Sequence, residues 1–190
     1  MSEIGFKITE EKEKLPVSTS KLFGNPHVWD EFEWPHYTEN GEDYDLTFMC
    51  QINCTDATSF DTKGLLPNTG MLYFFYDMDE MPSESIKTNA SRVLYHDGDP
   101  ASLHEMLRTD QDGNDMSFRE MKITFNEKSE QPHALLNAPP MEGWQPLLQI
   151  HSFETDKIMI HFSGKNALCF YVKESNIGNM DFSEIFVRLV

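Results

Sequence analysis

The chain has 190 residues, of which 39% are hydrophobic and 12% aromatic, and this composition is enough to fill the core of one domain and excludes a wholly disordered protein. Its formal charge of −17 arises from 32 acidic against 15 basic side chains. Because nucleic acids and anionic membranes are bound through basic surfaces, neither is an expected partner.

The first 20 residues are rich in charge and poor in aromatic side chains, and they predict a short helix or a frayed arm before a single domain over residues 21–190. Charges at Glu3 and Lys7 interrupt any apolar stretch that could serve as an export signal. We therefore expect a cytoplasmic protein. Residues 66–70 match a cell-wall sorting motif, but no long apolar tail follows them, which favours a turn leading into a strand.

Residues 23–46 mix helix-breaking residues with aromatic anchors, which predicts an irregular loop pinned to the core. Within this segment, residues 30–45 hold seven acids, no Lys or Arg, and four aromatic residues. Such a stretch is typical of a surface that attracts and holds a basic protein, or of a pinned loop whose acids keep the protein soluble. The predicted partner-binding residues are Asp30, Glu31, Glu33, Trp34, Glu39, Glu42, Asp43 and Asp45.

Three strands are predicted next, at residues 46–54, 71–77 and 91–97. The second is apolar on both faces and is expected to be central. The first alternates and is expected to place five apolar side chains on one face, namely Leu46, Phe48, Cys50, Ile52 and Cys54. The spacing of these cysteines favours packing as small hydrophobes over a disulfide or a zinc site.

The middle of the chain is less regular. Residues 100–108 carry Leu103, Met106 and Leu107 at helical spacing behind a proline, which predicts a short helix. Residues 110–115 resemble the start of a calcium loop, but Asp115 stands where a glycine must turn the chain and Met121 stands where a bidentate Glu is needed. A solvated turn is therefore expected there, followed by a strand at residues 121–127.

The last segment repeats the earlier one. Residues 50–79 correspond to residues 148–175, so that Gln51 aligns with Gln149, Leu72 with Leu168, and Phe74 with Phe170. Each copy continues into a further apolar strand, which predicts an internal duplication of a three-strand unit, with halves at residues 46–97 and 144–190. The predicted class is α+β, predominantly antiparallel β-sheet, in one compact domain.

Candidate chemistry is sparse. His151 and His161 could meet across a hairpin as a metal or acid–base pair, with ordinary surface histidines as the alternative. Gln51 and Gln149 could line a shared pocket or could hydrogen-bond beside the sheet. The sequence contains no phosphate-binding, dinucleotide-binding or hydrolase motif, so no cofactor or metal is expected.

The order of the blocks FEWP, FMCQIN, GLLPNTGMLYFFYD, RVLYHDGD and WQPLLQI, and of the closing block that ends in DFSEIFVRLV, is similar to that of the YwqG-like proteins. This bacterial family has a domain of unknown function. The resemblance covers about residues 21–190 and departs at Gly24-Asn25 and at residues 137–140. It implies an α+β fold dominated by antiparallel strands and transfers no catalytic residues. Some members resemble immunity or accessory proteins near toxin genes, which points toward protein binding.

The sequence thus favours a non-enzymatic interaction domain, an acidic immunity or accessory protein that binds a basic partner such as a toxin domain. The alternative is a small-molecule- or metal-binding enzyme built around Gln51, Gln149 and loop histidines.

Overall fold

The computed structural model describes residues 4–83, 89–126 and 133–190. Two short α-helices lie in this part of the chain, α1 (Cys54–Thr58) and α2 (Glu174–Ile177), together with a 3-10 turn at Pro100–Ser102. The strands in chain order are β1 (Ile4–Thr9), β2 (Lys21–Leu22), β3 (His27–Val28), β4 (His36–Glu39), β5 (Glu42–Asp45), β6 (Thr47–Asn53), β7 (Met71–Tyr76), β8 (Ser91–His96), β9 (His104–Glu105), β10 (Met121–Asn126), β11 (Ala134–Leu135), β12 (Trp144–His151), β13 (Phe153–Glu154), β14 (Met159–Ile160), β15 (Ala167–Lys173) and β16 (Ile185–Leu189).

One antiparallel sheet dominates the molecule, in the order β16-β15-β12-β11-β1-β10-β2-β6-β7-β8. The sheet curls until its two edge strands approach each other. The Leu189 N–H at the end of β16 donates to the Ser83 carbonyl at 3.1 Å, and the rings of Tyr95 and Phe182 lie 6.0 Å apart. The result is a near-barrel whose inner face forms the main core.

The predicted α+β class is wrong, because nearly all the regular structure of the described residues is strand and the two α-helices have only five and four residues. The helix predicted at residues 100–108 is the clearest error. Asp99 caps a single turn by accepting from the Ala101 N–H at 2.9 Å, after which Leu103 is extended and β9 pairs with β3. Burial of Leu103 against the outer face of the sheet outweighs the helical spacing.

The N-terminal segment also differs from its prediction as a helix or frayed arm. Residues 4–9 form β1, which lies in the middle of the sheet between β10 and β11. Ile4 and Phe6 are fully buried in the core. The strand is central because its alternating apolar residues fill the inside of the near-barrel.

The repeat observed in the structure is larger than the predicted three-strand unit. A first unit of β10-β2-β6-β7-β8 corresponds to a second of β1-β11-β12-β15-β16, and the two meet where β1 pairs with β10. The registers agree: Gln51 faces Tyr73 as Gln149 faces Cys169, and Ile52 faces Leu72 as Ile150 faces Leu168. The unit therefore spans five strands, and the second unit takes its fifth strand from the start of the chain.

Details of backbone conformation repeat as well. Phe23 and Leu136 follow β2 and β11 with left-handed φ values of 55° and 57°. Their N–H groups donate to the Met49 and Leu147 carbonyls, each at 3.0 Å. Strands β6 and β12 each carry a bulge at these carbonyl positions. The prediction that residues 46–54 place five apolar side chains on one face is therefore wrong. Leu46 and Phe48 pack outside the sheet, whereas Cys50, Ile52 and Cys54 pack inside. The bulge in β6 causes this change of face.

The two faces of the sheet are covered differently. Inside, the equivalent side chains Phe74 and Phe170 touch edge to face, with ring centroids 5.3 Å apart. Outside, the first unit is covered by residues 23–46 and 103–105, which pack Val28, Phe32 and Leu103 onto Tyr73 and Phe75. This covering layer carries the candidate site.

Candidate functional site

Strands β4 and β5 form an exposed hairpin whose carboxylates face solvent. Asn40 and Gly41 make the turn with φ values of 53° and 84°, a pairing that two-residue hairpin turns favour. Every residue of β5 is exposed, as are three of the four in β4. The local sequence therefore places a row of exposed acidic side chains on a two-stranded hairpin.

A stacked pair of tyrosines fixes this hairpin to the body of the protein. The rings of Tyr37 and Tyr44 are 5.3 Å apart and nearly parallel. The Tyr37 hydroxyl donates to the Asp77 carboxylate at 2.8 Å, and the other Asp77 oxygen accepts from the Asp79 and Glu80 N–H groups at 3.0 Å each. Burial and the Asp77 carboxylate raise the pKa of Tyr37. The turn after β7 and the β4–β5 hairpin are thus held side by side.

These two segments enclose an acidic cleft with a volume of about 410 Å³. We define the acidic cleft by the charged and tyrosine residues that line it and the adjoining hollow of about 380 Å³: Tyr37, Glu39, Asp43, Tyr44, Asp45, Asp77, Asp79, Glu80 and Arg108. Six of the lining side chains are carboxylates and one is a cation. Because like charges held together make a strongly negative potential, this cleft is suited to bind cations.

Arg108 is that cation, and it lies at the boundary of the acidic cleft. Its Nη2 is 3.3 Å from an Asp45 carboxylate oxygen, and its guanidinium lies 5.1 Å above the ring of Trp34. The Trp34 indole N–H donates to the Leu46 carbonyl at 2.8 Å, which fixes the ring. A carboxylate combined with an aromatic face can therefore hold a guanidinium at this position.

The structure divides the predicted partner-binding residues. Glu39, Asp43 and Asp45 line the acidic cleft, and Glu42 at the hairpin accepts from the Tyr44 hydroxyl at 3.0 Å. Asp30, Glu31 and Glu33 are exposed on a separate turn, where Asp30 lies 3.5 Å from His104. Trp34 is half-buried beneath Arg108.

Sequence reasoning missed Asp77, Asp79 and Glu80. They follow β7 and reach the hairpin through the contact of Tyr37 with Asp77, two residues that are 40 positions apart in the chain. The run of acids directly after an apolar strand was a signal for a turn, but it did not indicate which other segment the turn would touch.

Gln51 belongs to a buried polar network rather than to a pocket. Its Oε1 accepts from the His27 N–H at 2.9 Å, and its Nε2 donates to the Thr19 carbonyl at 2.8 Å. Its neighbour Lys21 is 0% exposed, and the ammonium donates to the Asn25 carbonyl at 2.7 Å and to Glu120 at 2.8 Å. Burial lowers the pKa of Lys21, and the hydrogen bond to Glu120 opposes that shift.

The family model described as Domain of unknown function (DUF1963) matches residues 20–138, which is more than half of the chain. The chain belongs to the DUF1963 family. No curated protein matches its sequence. The matched region runs from β2 to just beyond β11, so the DUF1963 match contains the first five-strand unit and every residue of the acidic cleft.

In this DUF1963 protein the second glutamine has different partners from the first. Gln149 is half-buried and contacts the His151 ring, while the His151 N–H donates to His133 Nδ1 at 3.2 Å. Burial, reinforced by His151, lowers the pKa of His133 to about 4. Four strands separate β6 from β12 in the sheet, so Gln51 and Gln149 do not line a shared pocket. The predicted pairing of His151 with His161 is not observed. His161 is exposed, and the ring of His151 contacts the ring of His133.

The loop at residues 110–115 of the DUF1963 protein is a hydrogen-bonded turn. Asp110 Oδ1 accepts from the Asp112 and Asn114 N–H groups at 2.9 and 2.8 Å, and these bonds together with the Asn114 side chain lower the pKa of Asp110. Within residues 4–83, 89–126 and 133–190, no three His, Cys, Asp or Glu side chains are grouped to hold a metal ion. Neither α-helix of the described chain has the length and apolar character needed to cross a bilayer.

Proposed function

We propose that this DUF1963 protein binds a basic protein through the acidic cleft. One observation carries the proposal: two acidic segments distant in sequence are held together around a rigid pair of tyrosines, with six carboxylates lining the space between them. Keeping like charges adjacent opposes folding, and a cationic ligand relieves that repulsion. A partner with exposed Lys or Arg side chains fits this chemistry.

Long-range charge supports the same function. The chain carries a formal charge of −17, and thirteen of its acids lie in residues 22–86 against Lys63 as the one base. The negative electrostatic field raises the rate at which the chain encounters a basic protein. Aromatic contacts, and bidentate hydrogen bonds between arginines of the partner and carboxylates of the cleft, keep the complex together. We therefore expect association with the partner to be fast and to slow as the salt concentration rises.

We also infer that the chain is a YwqG-like member of the DUF1963 family, with which the family match is consistent. The resemblance favours an immunity or accessory role, and a toxin domain is then the expected class of basic partner. Three free cysteines, all buried, support a reducing compartment such as the cytoplasm. The enzymatic alternative has no comparable support, because the contacts of Gln51 and Gln149 lie in separate networks.

The test captures basic proteins from a low-salt lysate of the source cells on the immobilised chain, then measures association kinetics with each purified candidate. The variant Glu39→Lys, Glu42→Lys, Asp43→Lys is expected to slow association about tenfold, and raising the salt concentration is expected to do the same to the unchanged protein. Thermal unfolding is expected to change little, because relief of the like-charge repulsion favours the fold while loss of the hydrogen bond from the Tyr44 hydroxyl to Glu42 opposes it.

A matched control reverses three exposed acids elsewhere, Glu142, Glu154 and Asp156, and so changes the net charge equally. The control is expected to slow association much less. The proposal fails if no basic protein is recovered at low salt, or if both triple variants slow association to the same extent.

A further inference from the structure

An apolar groove adjoins the acidic cleft. Its volume is about 160 Å³, and its floor and walls include the rings of Trp34, Phe48 and Phe118 and the side chain of Met116. Among the lining side chains, Met116 is 57% exposed, which is unusual for a methionine. We call this feature the apolar groove.

Several polar groups around the groove are already hydrogen-bonded within the protein. Asn25 accepts from the Arg108 N–H at 3.0 Å and donates to the Asp115 carboxylate at 3.2 Å, and the Trp34 indole N–H is bonded to Leu46. The Ser117 N–H donates to Asp115 at 2.8 Å. A ligand would therefore meet aromatic faces and a thioether, which bind apolar groups, beside polar side chains that include Asp79 and Arg108.

The rim is held rigidly. The Met116 N–H donates to the Arg108 carbonyl at 2.9 Å, and residues 109 and 115 form a β-bridge below it. Phe118 packs edge to face on the buried Phe23 with ring centroids 5.4 Å apart. The backbone that carries Met116 is thus fixed, so binding would order the exposed side chain but not the chain beneath it.

The apolar groove and the acidic cleft form one continuous surface, because Asp79 and Arg108 line both. If a side chain of a bound peptide occupied the groove, the residues next to it in that peptide could reach the carboxylates of the acidic cleft. An isolated apolar ligand would not use this arrangement, and a purely polycationic one would leave the groove empty.

We propose that the apolar groove receives an aromatic or aliphatic side chain of the basic partner, from a segment in which Lys or Arg residues flank it and enter the acidic cleft. This inference rests on the proposed function and specifies the partner's binding motif. An apolar cavity of about 150 Å³ accommodates a benzene ring, so the groove is large enough for a phenylalanine ring. Charge complementarity selects a basic segment over an acidic one.

The test uses three capped tripeptides as probes, Arg-Phe-Arg, Arg-Ala-Arg and Glu-Phe-Glu, titrated into the isotope-labelled full chain and followed by NMR. Arg-Phe-Arg is expected to shift signals of both groove and cleft residues and to bind about tenfold more tightly than Arg-Ala-Arg. Glu-Phe-Glu is expected to shift neither set.

The variant Met116→Ser is expected to remove the advantage of Arg-Phe-Arg while leaving Arg-Ala-Arg binding unchanged. Met159→Ser is the matched control, because this methionine is 61% exposed on the distant β13–β14 hairpin. An unchanged spectrum and melting temperature establish that each variant is folded.

The outcomes separate the two proposals. Equal binding of Arg-Phe-Arg and Arg-Ala-Arg, both weakened by the triple reversal of Glu39, Glu42 and Asp43, overturns the groove and leaves the proposed function standing. If neither arginine peptide shifts the NMR signals of the acidic-cleft residues, the proposed function is overturned, and the role of the groove is overturned with it.

Discussion

Lys21 is completely buried on the outer face of the sheet, where the equivalent residue of the second unit is Ala134. Burial of an ammonium is costly unless every proton finds an acceptor. Here the Asn25 carbonyl and Glu120 accept two of them, and Glu120 also accepts from the Leu15 N–H at 2.9 Å. The residue thereby ties β2 to the loop beside the apolar groove and to the segment that enters β10.

Replacing Lys21 by Met is predicted to destabilise the protein by about 3 kcal/mol, because Glu120 and the Asn25 carbonyl lose their shared donor. The double variant Lys21→Met, Glu120→Gln is predicted to regain at least half of this loss, since the unpaired charge is gone. Urea unfolding of the two variants and of Glu120→Gln measures the coupling. Strictly additive losses would show that the ion pair has no role.

Two buried histidines predict how stability depends on pH. His27 Nδ1 accepts from the Ser18 N–H at 3.2 Å and His133 Nδ1 accepts from the His151 N–H at 3.2 Å, so both rings are neutral in the fold. Burial, reinforced by Lys21 in the first case and by His151 in the second, lowers the pKa of each to about 4.

The unfolded chain takes up protons at these histidines near pH 6.5, whereas the folded protein does so only near pH 4. Stability is therefore predicted to fall as the pH drops through this window, by on the order of 3 kcal/mol for each ring at its lower end. His27→Asn and His133→Asn keep an acceptor near Nδ1 and should flatten the slope between about pH 7 and about pH 5 in urea titrations. His161→Asn, at an exposed site, is the control. An unaltered slope in both buried variants would contradict the assignment.

At the scale of elements, β16 combines two structural roles. It pairs with β15 over its whole length, from Ile185 opposite Val172 to Leu189 opposite Leu168. It also forms one edge of the near-barrel and bonds to Ser83 beyond β7. Its Phe186, Val187 and Leu189 side chains are buried on the two faces of the sheet.

Deletion of residues 185–190 is predicted to unfold the protein. Burial of the three apolar side chains contributes roughly 6 kcal/mol, which is comparable to the whole stability of a domain of this size. Circular dichroism and thermal melting measure the outcome, with Arg188→Ala as a control at the exposed position of the same strand. A truncated chain that keeps its melting temperature would show that β16 is dispensable.

Strands with strong local patterns were predictable from the sequence, and those set by distant contacts were not. The predicted strands at residues 71–77 and 91–97 correspond to β7 and β8 within one residue. In β1, the alternation of Ile4, Phe6 and Ile8 was a valid strand signal that the following charges obscured. The acidic hairpin was visible as composition, but its pairing with Asp77 depends on tertiary packing that no local pattern encodes.

At the scale of the whole molecule, the two five-strand units share a scaffold but differ in what covers it. The first unit is interrupted by long insertions, residues 23–46 between β2 and β6 and residues 97–120 between β8 and β10. These insertions supply most of the acidic cleft and the apolar groove. In the second unit, a smaller outer cluster centred on Cys169 and Tyr171 covers the equivalent face. We therefore propose that partner binding resides in the loops inserted into the first unit of the duplicated sheet.

The position of β1 leads to a prediction about chain order. This strand completes the second unit, yet it comes from the start of the chain, whereas the equivalent β10 follows β8 after residues 97–120. A circular permutant that begins at Lys12 and joins Val190 to Met1 would make each unit contiguous. The opening falls in an exposed segment between β1 and β2, where a break in the chain is tolerated. A glycine–serine linker of about 20 residues has a mean span of roughly 25 Å.

This permutant is predicted to fold to the same sheet, because every strand pairing is kept and only the connection between β16 and β1 is new. Its far-ultraviolet circular dichroism and its NMR signals for the acidic cleft should match those of the natural order, and its melting temperature should lie within about 5 °C of it. A second permutant with the same linker, opened between Asn40 and Gly41, is predicted to keep the sheet but to lose cation binding, because the hairpin that forms the cleft is cut. If the first permutant fails to fold while the second succeeds, the two five-strand units are not the units in which this protein is built.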